Sequence, residues 1–417
     1  MTAVPHSPTP SEVSGAPGPP QLHSRWFLLC CCGLIAAHVD FTLLCFWQGH
    51  FLVSEGGGGG YDFACFWGAG RLALQGHALA AYDWSQLKDF LDHEMAFSAD
   101  PLRPSLPFFY PPSLLLVVAP LALLPFAAAL AVWLGATLAA YLTALRAILP
   151  GPTAMMTALA APMVFFDMWV GQNGLLTAAL LGGALVLLDR RPLASGALLG
   201  LLVYKPHFGV LFPLVLVATG RWRVIGGAAA TIAVLAGITG LLFGWRIFAT
   251  AGDALLAASH YNLVSGATPW FKLQSIYGML RAAGFDDTAA WAAHGVVAAA
   301  AALATLMIWR GRYSYALKAA SLSTAALLLP PYMAIYDLPL LGVPLAFLVR
   351  DGLESGFRPR DVLALKLALP AGFTLTYLFP LLHEPVGPLC CAGLIIIIAL
   401  RLVPALSPGI EPRLAPS

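Results

Sequence analysis

Apolar stretches about 20 residues long recur along almost the whole chain, and a helix needs roughly this length to cross the hydrocarbon of a membrane. Only 10% of the residues are charged, against roughly 25% in soluble domains. No long run alternates apolar and polar residues, which argues against a β-barrel. The pattern predicts an all-α polytopic membrane protein with about 11–12 transmembrane helices. The predicted spans are 26–47, 121–147, 153–169, 173–188, 192–204, 206–220, 223–244, 289–309, 315–333, 335–349, 361–381 and 386–403.

One apolar segment, YPPSLLLVVAPLALLP at 110–125, does not fit the pattern of an ordinary span. It is short and carries several prolines, and proline interrupts the helical hydrogen-bond ladder. We therefore predict a re-entrant or interfacial segment that leads into the second span.

The basic residues are distributed unevenly between the two membrane faces. If the N-terminus is cytoplasmic, about two thirds of the 22 Lys and Arg residues fall on the inner face, as the positive-inside rule requires. This topology predicts a multi-pass protein of the cytoplasmic membrane. We expect cytoplasmic tails at 1–24 and 406–417, the first of them disordered because it is rich in proline and serine. Between them lies a single transmembrane domain, 25–405, with large extracytoplasmic loops at 48–112 and 245–288.

Polar residues that could take part in catalysis or binding are concentrated in the predicted outer loops. The first loop contains EGGGGGYDF (55–63), in which five glycines precede Asp62. GQN (171–173) and YKPHFG (204–209) follow at the ends of later spans, and PPYMAIYDLP (330–339) opens another. The glycine run is either a hinge over a substrate or an insertion without a role. No cysteine spacing resembles a metal site or a disulfide framework, so we expect neither a metal nor a cofactor.

The order of these motifs resembles that of glycosyltransferase family 87, the polyprenyl-phosphate-mannose-dependent mannosyltransferases of the GT-C fold. The resemblance covers roughly residues 26–350. It rests on the aspartate and aromatics after the first span, YPP leading into APLALLP, GQN opening a span, and GLLVYKPHFGVLFPLVLV followed by RWR. It implies a GT-C fold and an aspartate base in the first outer loop, at Asp62. The sequence departs from the family pattern at Gly174, where a second Asn is common, and at His207, where Gln is common.

The chemistry of a lipid-phosphate donor needs few groups, because the sugar already carries a good leaving group. A base must take the proton of the acceptor hydroxyl, and a cation must offset the charge that grows on the departing phosphate. Asp62 is the predicted base. Lys205 is the predicted phosphate ligand, with His207 hydrogen-bonding the phosphate or the sugar. The predicted substrate-binding residues are Gln172, Asn173, Tyr110, Asp40 and Asp337.

Several of these residues have a structural alternative. Asp62 could cap a helix that begins at Phe63, and Lys205 could extend to the membrane interface. Asp40 lies inside the first span, where ionisable groups are costly and usually functional, so it could face the site from below. A mechanism of this kind requires Asp62, Asn173 and Lys205 to line one outward-facing cavity.

Two other classes of function, and one other sugar within the same class, compete with this prediction. A transporter of lipid or sugar would share the span count, but such folds usually show related halves, and this chain looks asymmetric. A structural partner in envelope biogenesis would not need these polar motifs to converge. A GT-C transferase of another lipid-linked sugar, such as a pentose, stays open. We predict a membrane glycosyltransferase that moves a hexose, expected to be mannose, from a polyprenyl phosphate to a lipid or glycan acceptor on the extracytoplasmic face by a single inverting displacement. Membrane lipids are the other expected partners, and no nucleic acid is expected.

Overall fold

A computed structural model describes residues 25–49, 51–55, 57–95, 107–266 and 268–403. The predicted tails 1–24 and 406–417 lie outside the described residues, as does Gly56 of the glycine run. Within these ranges the α-helices are α1 (Arg25–Trp47), α2 (Tyr61–Leu74), α3 (Trp84–Met95), α4 (Leu115–Leu121), α5 (Phe126–Ile148), α6 (Pro152–Ala160), α7 (Pro162–Val170), α8 (Gly174–Leu187), α9 (Pro192–Leu201), α10 (Leu211–Ala218), α11 (Trp222–Phe243), α12 (Arg246–Ser259), α13 (Ile276–Ala282), α14 (Asp287–Arg310), α15 (Tyr315–Leu328), α16 (Gly342–Ser355), α17 (Pro359–Leu382) and α18 (Gly387–Leu402).

Short 3₁₀ segments join several of these helices. They are Val53–Glu55, Ala78–Tyr82, Pro112–Leu114, Leu202–Tyr204, Pro206–Gly209, Trp270–Lys272 and Ile335–Leu341, and His260–Val264 is a π-helical turn. The described part of the chain contains no β-strand longer than an isolated bridge, and such bridges join Leu52 to Gly59 and Leu273 to Ala334. The prediction of an all-α polytopic membrane protein is confirmed.

Fewer of the described helices are long and apolar enough to cross a membrane than the 11–12 that the sequence predicts. Among the described residues, α1, α5, α11, α14 and α17 are each long and apolar enough to cross a membrane, which makes five. The pair α6 and α7 is bent by 57° where Pro162 breaks the ladder, and counting it as one broken span gives up to six. Other predicted spans are short apolar helices. The 14-residue α8, for example, is only about 21 Å long.

Glycines allow some of these short helices to pack very closely. A Cβ atom at Gly196 of α9 would lie 2.2 Å from the carbonyl oxygen of Val224 in α11. A Cβ atom at Gly227 of α11 would lie 2.6 Å from the carbonyl oxygen of Leu193 in α9. Small residues at a crossing let two backbones approach each other, as is common between helices in membranes. The pair α9 and α11 thereby fixes the start of the YKPHFG turn.

The predicted first outer loop folds into helices and contributes to the core. Phe63 and Phe66 of α2 are fully buried, with ring centroids 6.1 and 5.9 Å from that of Trp133 in α5. Trp67 of α2 donates a hydrogen bond to the carbonyl oxygen of Leu124 at 3.0 Å. Burying three large aromatic side chains anchors α2 firmly on α5. The first turn of α2 is therefore held at a fixed place beside the end of α7.

Candidate active site

The glycine run attaches the start of α2 to the end of α7. Gly60 adopts a left-handed conformation (φ 73°) and donates a backbone hydrogen bond to the carbonyl oxygen of Trp169 at 2.8 Å. Gly171 is also left-handed (φ 75°), and a Cβ atom there would lie 2.7 Å from the Cβ of Phe63 and 3.5 Å from the Cα of Gly60. Only glycine fits this close approach without strain. Gly59 and Gly60 are thus packed residues, which is neither the hinge nor the inert insertion considered above.

Asp62 lies in the first turn of α2 and is buried, with 9% of its surface exposed. The residue at the N-cap position is Gly60, and the helix start has no capping hydrogen bond from a side chain. The alternative in which Asp62 caps a helix beginning at Phe63 is therefore not what the structure contains. Burial raises the pKa of Asp62 from 3.8 to about 6, against the opposing effects of a hydrogen bond with Gln172 and the charges of Lys272 and Lys205. A carboxylate with this pKa is suited to accept a proton near neutral pH.

Gln172 connects Asp62 to two further elements. Its Oε1 accepts hydrogen bonds from the Tyr110 hydroxyl at 3.1 Å and from the Asn173 backbone N–H at 3.2 Å, while its side chain also hydrogen-bonds Asp62. The indole N–H of Trp133 donates to the carbonyl oxygens of Gly171 and Gln172, both at 3.1 Å. The GQN turn is therefore fixed on α5, and the orientation of the Asp62 carboxylate is fixed by that turn.

Asn173 offers a binding group that the protein itself leaves unused. The residue is fully buried, and neither polar atom of its amide has a hydrogen-bond partner among the described residues. Asp167 caps α8 instead, accepting from the backbone N–H groups of Gly174 at 2.9 Å and Leu175 at 3.4 Å. A buried polar group without a partner costs about 1–3 kcal/mol. An amide kept in this state is available to hydroxyl groups of a ligand.

A chain of hydroxyls joins the GQN turn to the YKPHFG turn. The Thr177 hydroxyl donates to the carbonyl oxygen of Asn173 at 2.9 Å, and its oxygen lies 2.7 Å from the hydroxyl oxygen of Tyr204. Tyr204 directly precedes Lys205. The two motifs, about 30 residues apart in sequence, thus form one buried cluster.

Lys205 forms an ion pair with Asp337, and both side chains are almost completely buried, with 3% and 1% of their surface exposed. Asp337 also accepts a hydrogen bond from the backbone N–H of Ala334 at 3.0 Å, which holds the start of the 3₁₀ segment. The Lys205 ammonium lies 4.9 Å from the centroid of the Tyr336 ring, within range of a cation–π contact. Its charge nevertheless still acts on Asp62 and on Asp167.

Comparison with known proteins identifies the family. The model of glycosyltransferase family 87 matches residues 108–331, which is more than half of the 417 residues. The chain belongs to glycosyltransferase family 87. No curated protein and no solved structure matches it. The GQN turn and Lys205 lie inside the matched range, and Asp62, which lies before that range, hydrogen-bonds Gln172 of the GQN turn.

Family membership and the membrane helices together make the protein a membrane glycosyltransferase. The transporter alternative has no comparable support. The departure at Gly174 has a physical reason in this glycosyltransferase, because a Cβ atom there would lie 1.8 Å from the carbonyl oxygen of Tyr336. A second Asn could not occupy that position without separating α8 from the segment that carries Asp337.

Two predicted site residues have a weaker connection to the cluster. His207 is half-buried beside Phe208, with ring centroids 4.5 Å apart, and its Nε2 is buried without a partner in the described structure. It lies at the edge of the site, within electrostatic reach of Lys205 and Asp337. Asp40 lies on an exposed side of α1, whereas His38 on the same helix stacks on Phe165. The structure does not bring Asp40 to the site, since residues two apart point to different sides of a helix.

Sequence reasoning missed several residues of this glycosyltransferase site. Asp167 is not among the predicted site residues, and its carboxylate caps the start of α8. Tyr332 hydrogen-bonds Tyr336 and acts electrostatically with Asp62. Lys272 acts on Asp62 from a different loop. A lone lysine in the aromatic sequence PWFKLQ was the one signal that could have pointed to it.

Proposed function

We propose that this protein transfers a hexose, which we take to be mannose, from a polyprenyl phosphate to a lipid or glycan acceptor. The reaction would take place on the outer face of the cytoplasmic membrane, in a GT-C fold whose N-terminus is cytoplasmic. The observation that carries the proposal is the buried Asp62 carboxylate, held by Gln172 beside the unpartnered amide of Asn173. The choice of mannose rests on the family resemblance, and a pentose donor would use the same groups.

The reaction needs one proton acceptor and a place for negative charge. Asp62 accepts the proton of the acceptor hydroxyl as the oxygen of that hydroxyl attacks the anomeric carbon. The bond from the anomeric carbon to the phosphate oxygen breaks, and its electron pair leaves with the polyprenyl phosphate. Asn173 and Tyr110 are the candidates for hydrogen bonds to sugar hydroxyls. Since Asp62 acts as a base and not as a nucleophile, a single displacement inverts the anomeric configuration.

An apolar cavity beside the cluster supports a lipid-linked substrate. It has a volume of about 330 Å³ and lies between α1, α5 and α7. Leu130, Leu134 and Trp169 are among the side chains that line it, and it reaches Gly60, two residues before Asp62. A substrate whose reacting carbon lies near Asp62 could thus place an isoprenoid chain in an apolar channel.

The direct test is transfer from radiolabelled polyprenyl-phosphate mannose to membrane lipids by wild type and Asp62→Asn. Asparagine keeps a side-chain oxygen that can accept from Gln172 but cannot take up the proton. The matched control is Asp83→Asn, because Asp83 is an exposed carboxylate of the same region that accepts hydrogen bonds from Ser85 and Gln86 at the start of α3.

We expect transfer by the wild type and by Asp83→Asn, and a loss of at least about a hundredfold in Asp62→Asn, the scale of general base catalysis. Equal transfer by Asp62→Asn in a folded protein would show that the carboxylate is not the base. If the wild type transfers no mannose, a panel of other lipid-linked sugars decides between a wrong sugar and a wrong class of donor.

A further inference from the structure

The cation expected to bind the donor phosphate already has a partner. Lys205 is paired with Asp337, and both side chains are almost fully buried. If Lys205 turned toward a phosphate, the Asp337 carboxylate would remain charged and unpaired in the protein interior, which is strongly unfavourable. The pair as a whole is neutral. Lys205 is therefore suited to hold the 3₁₀ segment Ile335–Leu341 in place and unsuited to bind a second anion.

Lys272 is a second lysine whose charge reaches the site. It ends the 3₁₀ segment Trp270–Lys272, its side chain is exposed, and it makes no ion pair with any residue that the structure describes. Of the two lysines that act on Asp62, Lys272 has the larger effect. An exposed ammonium with free N–H groups near the base can accept an anionic ligand without losing an existing partner.

The main chain next to Lys272 is firmly fixed. Leu273 forms an antiparallel bridge with Ala334, and the Gln274 backbone N–H donates to the carbonyl oxygen of Met333 at 2.5 Å. The fully buried Gln274 side chain accepts from the backbone N–H groups of Val386 and Gly387 at 2.9 and 2.8 Å. Lys272 thus extends from an anchored backbone beside the segment that carries Asp337, so its ammonium can move while its Cα stays in place.

We propose that Lys272 binds the phosphate of the donor and that Lys205 is a positioning residue that acts through Asp337. The inference rests on the proposed function, in which the leaving polyprenyl phosphate changes from one negative charge to two when the glycosidic bond breaks. A charge-assisted hydrogen bond from Lys272 strengthens as that charge grows, so it stabilises the transition state more than the bound donor. The proton of the acceptor goes to Asp62, and Lys272 keeps its own protons throughout.

The test compares Lys272→Met, which removes the charge but keeps a similar length, with Lys272→Arg, which keeps the charge. Lys88→Met is the matched control, because Lys88 is an exposed lysine of α3 that pairs with Asp92 and takes no part in the site. Binding of decaprenyl phosphate and of the uncharged decaprenol is measured by native mass spectrometry of the full chain in detergent. Neither probe carries a sugar, so the result does not depend on which sugar is transferred.

We expect Lys272→Met to weaken decaprenyl phosphate binding by about ten- to a hundredfold, as the loss of a hydrogen bond between charged groups does, with decaprenol binding unchanged. Lys272→Arg should stay within about threefold of wild type, since arginine also binds phosphate. In transfer assays Lys272→Met should raise the KM for the donor and also lower kcat, because the contact is stronger in the transition state, while the KM for the acceptor stays constant.

Two other outcomes have separate meanings. If the wild type binds decaprenyl phosphate and Lys272→Met binds it equally well, the assignment of Lys272 is wrong while the proposed function stands. If the wild type binds decaprenyl phosphate no better than decaprenol, the polyprenyl phosphate donor is wrong, and the role of Lys272 is refuted with it.

Discussion

Replacing Asp62 by asparagine should make the protein more stable while it abolishes transfer. The buried carboxylate has a pKa of about 6 in place of 3.8. A raised pKa means that ionising the group costs more in the folded protein than in the unfolded chain. A difference of about two pKa units corresponds to about 3 kcal/mol. Asparagine has no charge to bury and avoids this cost.

Because the pKa of Asp62 is raised and not lowered, the direction in which its contribution to stability changes with pH is also determined. Below pH 3.8 the carboxyl group is protonated in both states and contributes no destabilisation. Between pH 3.8 and about 6 the folded state binds more protons than the unfolded state, so the stability contributed by this group falls as the pH rises. Above pH 6 the destabilisation is constant at about 3 kcal/mol. The advantage of Asp62→Asn should therefore grow across this window and level off above it.

Thermal unfolding in detergent, followed by the fluorescence of the 11 tryptophans, measures this difference. Asp83→Asn is a control of opposite sign, because hydrogen bonds from Ser85 and Gln86 lower the pKa of Asp83 to about 2. Asp83→Asn should lower the Tm slightly at pH 8, while Asp62→Asn raises it. A lower Tm for Asp62→Asn at pH 8, with no dependence on pH, would mean that the carboxylate stabilises the helix start and would refute the argument.

Three further perturbations test the site. The kcat/KM of transfer should fall about tenfold per pH unit below about pH 6, where Asp62 becomes protonated; a flat profile from pH 4.5 to 8 would exclude this base. Gly171→Ala should lose about 2–4 kcal/mol of stability, because its Cβ would lie 2.7 Å from that of Phe63. In Gly76→Ala, which is also left-handed but has open space around it, the loss should stay near 1–2 kcal/mol, and equal Tm shifts for the two glycines would contradict the close contact. Lys205→Met should lose about 3–5 kcal/mol by leaving Asp337 unpaired, and adding Asp337→Leu should recover most of it in chemical denaturation; a fully stable single variant would refute the pair.

Much of the cluster could be anticipated from the sequence, because a membrane restricts where polar residues can lie. Asp62, Gln172 and Lys205 each follow or precede an apolar stretch on one predicted face, and the structure brings them together. The same restriction does not tell where Asp40 points: it lies within a span but on an exposed side of α1. The position of a residue within a span determines its depth in the membrane. The direction of its side chain depends on the helices that pack around that span.

The partners of the charged residues could not be anticipated. Lys205 and Asp337 are 132 positions apart, and no local spacing marks them as a pair. The break inside the span predicted at 153–169 was also out of reach, because an apolar window does not register the single proline, Pro162, that divides it into α6 and α7. Hydropathy predicts which segments are apolar enough to lie in lipid, but it does not predict where a helix ends.

The contact between Gly60 and Gly171 has a consequence for redesign of the acceptor specificity. Because it joins two main-chain segments, the distance from Asp62 to Gln172 is set by the number of residues between Gly60 and Asp62. Inserting one residue there would turn the carboxylate by about 100° around α2, away from Gln172. Substitutions of other side chains of the site leave that number of residues unchanged. Acceptor preference could therefore be altered by exchanging side chains, whereas changes in chain length at this point would displace the base.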